Sequence, residues 1–327
     1  MAGGLPASSS DRQDRARGIV RRLAAEAALI EVVGPLSESG VRPLVLKGAA
    51  FAHWLYESPD ERLYDDIDLL VDPERIELAE SVLAELGCAR ADSGWHEHER
   101  ALHHSVWKRA RGRRIRVELH HTMHLLGAAP ALVWRLLSAN ASTIELGGIG
   151  VAVPAEAASA VIVAVHATQH GVGAERPIRD LGLALARVPE PVWREAAAMA
   201  DALGAVDAFA CGLGLDPRGR ALVEALGLDA RASRYLRLRA STAPDTAIGI
   251  ERLAATRGGF GPRVLLVAGE LVPSREFMLA LYPQARRGRW GLLVAYLQRP
   301  FRLAGKLPRG LLAWSRSSSW WPGVGSR

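Results

Sequence analysis

The chain is poor in three things that would each have pointed elsewhere. Of 327 residues only two are cysteine, Cys88 and Cys211. They lie far apart in apolar surroundings, which reads as two buried thiols rather than a disulfide framework or a thiolate metal site. No stretch approaches 18 uninterrupted apolar residues, and Met1 to Arg15 is Gly/Ser-rich and then charged, without an apolar run of the kind a secretory signal carries. The cytosol is the compartment expected. Acid is missing from the C-terminal end: from Arg286 onward there are nine basic residues and no Asp or Glu. The net charge of +6 is smaller than that contribution, so the rest of the chain is net acidic.

What is present is carboxylate where an apolar strand should be. The run Arg62-Leu63-Tyr64-Asp65-Asp66-Ile67-Asp68-Leu69-Leu70-Val71 follows Leu46-Lys47-Gly48 closely. Strand side chains alternate between faces, so Asp66 and Asp68 are expected on one face with Ile67 and Leu69 turned to the core. Their Cα atoms would then lie roughly 6 to 7 Å apart. At an effective dielectric near 20, two such charges repel by about 2 to 3 kcal/mol. That cost calls for a cation, and Mg²⁺ is commonly held by one or two carboxylates plus substrate phosphates.

Arg113-Arg114-Ile115-Arg116-Val117-Glu118-Leu119-His120 alternates in the same way, with Glu118 the sole acid on its polar face. Paired beside the Asp66/Asp68 strand, it would bring a third carboxylate to one metal pocket able to support phosphoryl or nucleotidyl transfer. A lone acid next to Arg116 also reads as an ion pair on the sheet surface. Gly48 falls at a strand-to-helix turn, where backbone N–H groups suit phosphate and Lys47 could offset its charge, as could Arg62.

The order Leu-Lys-Gly, helix, Arg-x-x-x-Asp-Ile-Asp-Leu-Leu-Val, helix, Val-Glu-Leu-His resembles the uncharacterised bacterial nucleotidyltransferases of the polymerase-beta-type superfamily, over roughly residues 40 to 185. His166-x-x-x-His170 and Arg179-Asp180-Leu181 fit the same pattern. One departure is that the wider superfamily carries Gly-Ser where this chain has Lys47-Gly48. The resemblance implies Mg²⁺-dependent transfer of a nucleoside monophosphate from an NTP to an acceptor hydroxyl or phosphate. Asp66, Asp68 and Glu118 would be the metal-binding and catalytic residues, and Lys47, Gly48, Arg62 and His120 would contact the nucleotide. The acceptor could be a small molecule, a sugar, a peptide or a protein. A catalytically inert nucleotide-binding or regulatory protein on the same fold is the alternative, with a phosphotransferase third.

The expected architecture is α+β: a small mixed sheet with flanking helices, then an α-helical domain forming one wall of the cleft. Residues 1–18 are expected to be a flexible N-terminus, 19–154 the nucleotidyltransferase core, 155–285 the helical domain and 286–327 a basic aromatic tail. Within this frame, helical spacing at Ile19, Leu23, Ala27 and Ile30 should end or kink at Gly34-Pro35. A short strand is expected at Arg42–Leu46, a helix from Pro73 closed by Gly87, and two strands turning around Gly112. A hairpin should follow with Gly147-Gly148 at its tip, then helices punctuated by Gly171, Pro189, Gly204, Gly214 and Gly227. Seven histidines crowd residues 96–124. The adjacent pairs His103/His104 and His120/His121 would face opposite ways on strands, which argues against one zinc site gathering them all. His166 and His170 share a helix face and are expected as core residues. The tail interleaves its charges with Trp290, Tyr296, Phe301, Trp314, Trp320 and Trp321. It is expected to dock on the body, with a membrane surface as the next reading and nucleic acid behind both.

Overall fold

The computed structural model describes residues 9–91, 103–109, 111–112, 114–228 and 231–317. His96, His98, Trp320 and Trp321 therefore lie outside the described residues, as does the start of the expected flexible N-terminus. A five-stranded sheet has the order β1-β2-β5-β4-β3, where β1 is Leu44–Val45, β2 Ile67–Leu70, β3 Ala89–Arg90, β4 His104–Arg109 and β5 Ile115–His120. β2 and β5 run parallel, and every other neighbour is antiparallel. The small mixed sheet with flanking helices is thus the architecture found.

Alternation decides what each face carries. Ile67, Leu69, Ile115, Val117 and Leu119 turn to one side, where they join Leu29, Val32, Val33 and Leu36 of α1 (Ser9–Glu38) and Ala79, Val82 and Leu83 of α3 (Ile76–Glu85) in one buried cluster. Each such side chain, taken fully from water, contributes about 1.5 to 3 kcal/mol. Asp68, Glu118 and His120 occupy the alternate positions. The short helix α2 (Ala49–Leu55) follows Gly48, and a 3-10 turn at Pro73–Arg75 leads into α3, with the Asp72 side chain accepting from the Glu74 N–H.

Two details of the first helix depart from expectation. It begins at Ser9 and continues through Pro35 to Glu38. Tertiary burial outweighs the proline, since Val32, Val33 and Leu36 all pack inward. The buried stripe is also displaced from Ile19-Leu23-Ala27-Ile30, with Leu23 51% exposed. In an Ala-rich helix several stripes are apolar, and the neighbour selects one.

After α4 (Pro130–Ser138), a hairpin of β6 (Ser142–Leu146) and β7 (Ile149–Val153) turns at Gly147 and Gly148 as expected, adding Leu146, Val151 and Val153 to the same cluster. The remainder is helical: α5 Glu156–His170, α6 Glu175–Arg187, α7 Glu190–Ala202, α8 Val206–Leu213, α9 Pro217–Ala225, α10 Arg234–Ala240, α11 Asp245–Ala255, α12 Phe260–Leu271, α13 Arg275–Leu281 and α14 Arg289–Arg316. The breaks at Gly171, Pro189, Gly204, Gly214 and Gly227 fall where the sequence placed them.

Contacts divide the chain into two units. The first comprises residues up to Ala91, His104–Met123 and Ala129–Ser159, while the second comprises His103, His124–Ala128 and the chain from Ala160. Within the second, the Thr168 hydroxyl donates to the Ala208 carbonyl at 2.6 Å, and Thr168 and Ala208 are both buried. Both cysteines are free and buried, as expected, and burial pushes the Cys211 thiol up to about 12.

Helix α8 approaches α5 so closely that a Cβ at Gly212 would sit 1.9 Å from the Ala164 carbonyl oxygen, whereas one at Gly249 in α11 would meet nothing within 4 Å. Gly212→Ala should destabilise by more than about 3 kcal/mol through overpacking, and Gly249→Ala should stabilise by about 0.4 to 1 kcal/mol. Urea unfolding of both variants checks this, and equal midpoints would contradict the α5/α8 packing.

Candidate active site

The site forms because two strands run side by side in register. Asp68 on β2 lies directly opposite Glu118 on β5, and the antiparallel pairing of β4 with β5 sets His104 against His120. One carboxylate oxygen each from Asp68 and Glu118 and one ring nitrogen of His120 lie within 4.8 Å of one another. This is the one such group of three or more potential metal ligands among the described residues. His120 Nε2 donates to Asp68 Oδ1 at 3.2 Å and lies 3.9 Å from Glu118 Oε2. His104 Nε2 is 3.8 Å from the same Glu118 oxygen, and its ring centroid is 4.6 Å from that of His120.

A cation is already present in the chain. Lys47 Nζ sits 2.7 Å from Asp68 Oδ1, with the two side chains only 14% and 5% exposed. Burial alone would push the Asp68 carboxyl up, but the Lys47 ammonium and the His120 hydrogen bond outweigh it and hold the group well below the usual carboxylate range. Burial likewise works against the Lys47 charge. The attraction of Asp68, then of Glu118 and Asp66, wins and raises the lysine. The repulsion expected from the acidic run is therefore relieved internally by Lys47.

The sequence-predicted residues separate into three sets. Asp68, Glu118, His120 and Lys47 are brought together. Asp66 is half-buried in a bend ahead of β2, because pairing begins at Ile67 opposite Val117. It lies outside the three-ligand group, although its charge still acts on Lys47. Gly48 and Arg62 build the turn that presents Lys47. Gly48 has φ 56° and ψ −111°, a conformation that suits glycine, and a Cβ there would press within 3.2 Å of the Tyr64 ring. The buried Arg62 donates from Nη1 to the Gly48 carbonyl at 3.1 Å and lies over the Phe51 ring, 5.4 Å from its centroid.

Glu118 makes the expected ion pair as well, since Arg116 Nη2 donates to its Oε1 at 2.6 Å. Oε2 is the oxygen turned to the histidines. Sequence reasoning did not single out His104. The signal was there, because His104 and His120 are equidistant from the Gly112 turn. The neighbouring His103 turns elsewhere, with its ring centroid 5.3 Å from that of His124 in the second unit. His166 and His170 meet edge-on at 4.4 Å on one face of α5, but His166 is half-buried and His170 exposed, so they are not the core pair expected.

With this geometry established, comparison with known proteins identifies the group. Residues 10–216, well over half the chain, match the model of the family described as uncharacterised nucleotidyltransferase. The chain belongs to that family. No curated protein matches the sequence. Among solved structures, an antigenic nucleotidyltransferase-like protein from Paracoccidioides brasiliensis is similar at 16% identity and a TM-score of 0.40, covering 64% of this chain and 94% of its own.

The Lys47–Asp68 pair makes this nucleotidyltransferase-family chain sensitive to changes at Asp68. Asp68→Asn leaves a buried ammonium without its counter-charge and should cost about 3 kcal/mol, while Asp66→Asn should stay within about 0.5 kcal/mol. The Asp68 carboxyl is lowered in the folded state, so its stabilisation is complete above its unfolded value near ~4 and is lost as the pH falls. Lys47 is raised, so its share is complete below its unfolded value near ~10.4 and is lost as the pH rises through the folded value. Denaturation curves against pH should show a steeper acid decline for wild type than for Asp68→Asn, and parallel curves would contradict the pairing.

Proposed function

We propose that the chain is an Mg²⁺-dependent nucleotidyltransferase that moves a nucleoside monophosphate from an NTP to an acceptor hydroxyl or phosphate. The observation that carries this reading is Asp68 opposite Glu118 on parallel strands, in a chain of a nucleotidyltransferase family. The donor set fits the ion: carboxylate oxygens suit Mg²⁺, while the imidazole of His120 is engaged in holding Asp68. Asp68 and Glu118 would hold the metal, with Asp66 the adjoining acid that can complete the set. Bound there, Mg²⁺ would stabilise charge on the transferring phosphoryl oxygens and lower the pKa of an acceptor hydroxyl.

The chain's own residues supply the rest. Lys47 releases Asp68 and turns its ammonium to the phosphates, where a compact positive charge offsets the charge gathering on the leaving pyrophosphate. Gly48 and Arg62 fix where that ammonium starts. Glu118 accepts the proton of the acceptor as its oxygen attacks the α-phosphorus and the bond to the pyrophosphate breaks, while His104 and His120 flank the carboxylate on the other side. The partners of this reading are an NTP and one acceptor, small molecule, sugar, peptide or protein. The compartment it requires is the cytosol, where NTP and Mg²⁺ are supplied, and nucleic acid is not among the partners proposed.

A specific observation favours a second reading. Lys47 neutralises Asp68 from within the chain, and Asp66 stands outside the ligand group, as an inert nucleotide-binding or regulatory relative would allow. Phosphotransfer of the γ-phosphoryl group is the third reading, served by the same groups.

Titration with Mg·NTP followed by product analysis separates the three. Nucleotidyl transfer predicts metal-dependent binding and pyrophosphate; nucleoside diphosphate would indicate a kinase, and no metal-dependent binding an inert scaffold. Glu118→Gln should reduce turnover by on the order of a hundredfold, a larger loss than the one it causes in Mg·NTP affinity. Full activity in that variant would return Glu118 to a structural ion pair with Arg116.

A further inference from the structure

The C-terminal helix α14 is apolar on two opposite faces, and only one of them is used. On the inner face Ala295 and Tyr296 join Met278, Tyr282 and Ala285, and Ala313 and Trp314 pack with Leu238, Ala247 and Ile248. The Trp314 indole donates to Glu251 at 2.7 Å with the Arg234 guanidinium 4.5 Å from its ring centroid, and the buried Arg299 reaches the Tyr282 hydroxyl at 3.1 Å. That face is the docked helix expected from the sequence.

The other face carries the remaining aromatics. Trp290, Val294, Leu297 and Phe301 recur at four, three and four residues and so line one stripe, and they are 80%, 42%, 62% and 79% exposed. At 100° per residue this stripe lies opposite Ala295 and Arg299. Leu312, 50% exposed, continues it in the last turns of the helix. Arg309 and Arg316 are exposed and lie to one side of the stripe, with Arg289 on the other, while Arg302 and Lys306 are exposed further round toward the inner face, where Arg302 lies over the Tyr282 ring. Between Arg286 and Ser317 there is no acid.

We propose that this outer face of α14 is a docking surface for an anionic lipid membrane, on which the helix lies in the plane of the headgroups. Apolar side chains with aromatic anchors, bordered by positive charge on a helix that carries no acid, match an interface whose interior is apolar and whose rim is anionic. A second copy of the chain matches less well, because two such faces brought together would set Arg289, Arg309 and Arg316 against the same charges. Lying on the surface is also the geometry the charges impose. No helix among the described residues is long and apolar enough to cross a membrane.

Flotation of the full chain with vesicles tests this, comparing phosphatidylcholine alone with mixed phosphatidylcholine/phosphatidylglycerol. Binding should require the anionic lipid and weaken with salt as exposed charges are screened. The pair Trp290→Glu and Phe301→Glu should abolish binding, whereas Phe301→Leu should retain it. Arg289→Gln with Arg309→Gln should weaken binding on the order of thirtyfold. Circular dichroism of each variant, unchanged because only the outer face is altered, separates lost docking from lost folding. The proposal is overturned if the full chain ignores anionic vesicles at low salt, or if the glutamate variants bind as wild type does. It is equally overturned if the outer-face substitutions dissolve a dimer in sedimentation while vesicle binding is absent.

Discussion

A half-buried lysine and a buried aspartate, 2.7 Å apart, set the terms for the rest of the first unit. Asp68 sits in the middle of a sheet, on a four-residue strand buried along its length, where an unpaired carboxylate would cost several kcal/mol. Lys47 meets that demand, and the local chain is arranged to let it do so. The positive φ of Gly48 turns the backbone between β1 and α2, and Arg62 holds the Gly48 carbonyl from its buried position. Removing any of these disturbs the ammonium's starting point before any nucleotide arrives. The same charge that stabilises the ligand-free fold is the one the proposed reaction requires at the phosphates.

Register supplies the remaining geometry. The parallel pairing of β2 with β5 places Glu118 across from Asp68, and the hairpin of β4 with β5 lays His104 over His120, so four polar side chains on three strands share one face. The opposite face is closed by α1 and α3, which leaves the polar groups no alternative side. A slip of one residue in either pairing would move the acids into the apolar cluster, so core packing and site assembly are one constraint.

Much of this was legible in the chain because period-2 alternation is a strong signal when both faces differ in chemistry. Ile67, Leu69, Val117 and Leu119 announced the inner face, and Asp68 and Glu118 announced the outer one. The glycine breaks in the helical half were legible for a similar reason, since a helix end needs little beyond local backbone freedom. What escaped notice depended on where pairing stops or which partner is chosen. Asp66 has the spacing of a strand residue, but the ladder begins one residue later and leaves it in a bend. His104 was hidden by the histidine crowd until the Gly112 hairpin fixed its register. Pro35 did not end α1, because Val32, Val33 and Leu36 are buried more firmly than a local propensity can oppose. Lys47 was read as a phosphate ligand only, since charge pairing across β1 and β2 is a tertiary fact. The tail's spacing did not separate its docked from its exposed aromatics, and α14 turns Tyr296 and Trp314 inward while Trp290 and Phe301 face out.

The most direct test of the account is a crystal structure with Mn²⁺ and a non-hydrolysable NTP, examined for anomalous scattering. The account predicts a metal peak bonded to Asp68 and Glu118, with the Lys47 ammonium moved from Asp68 to the phosphates. Metal bound away from both carboxylates, with Lys47 still paired to Asp68, would contradict it.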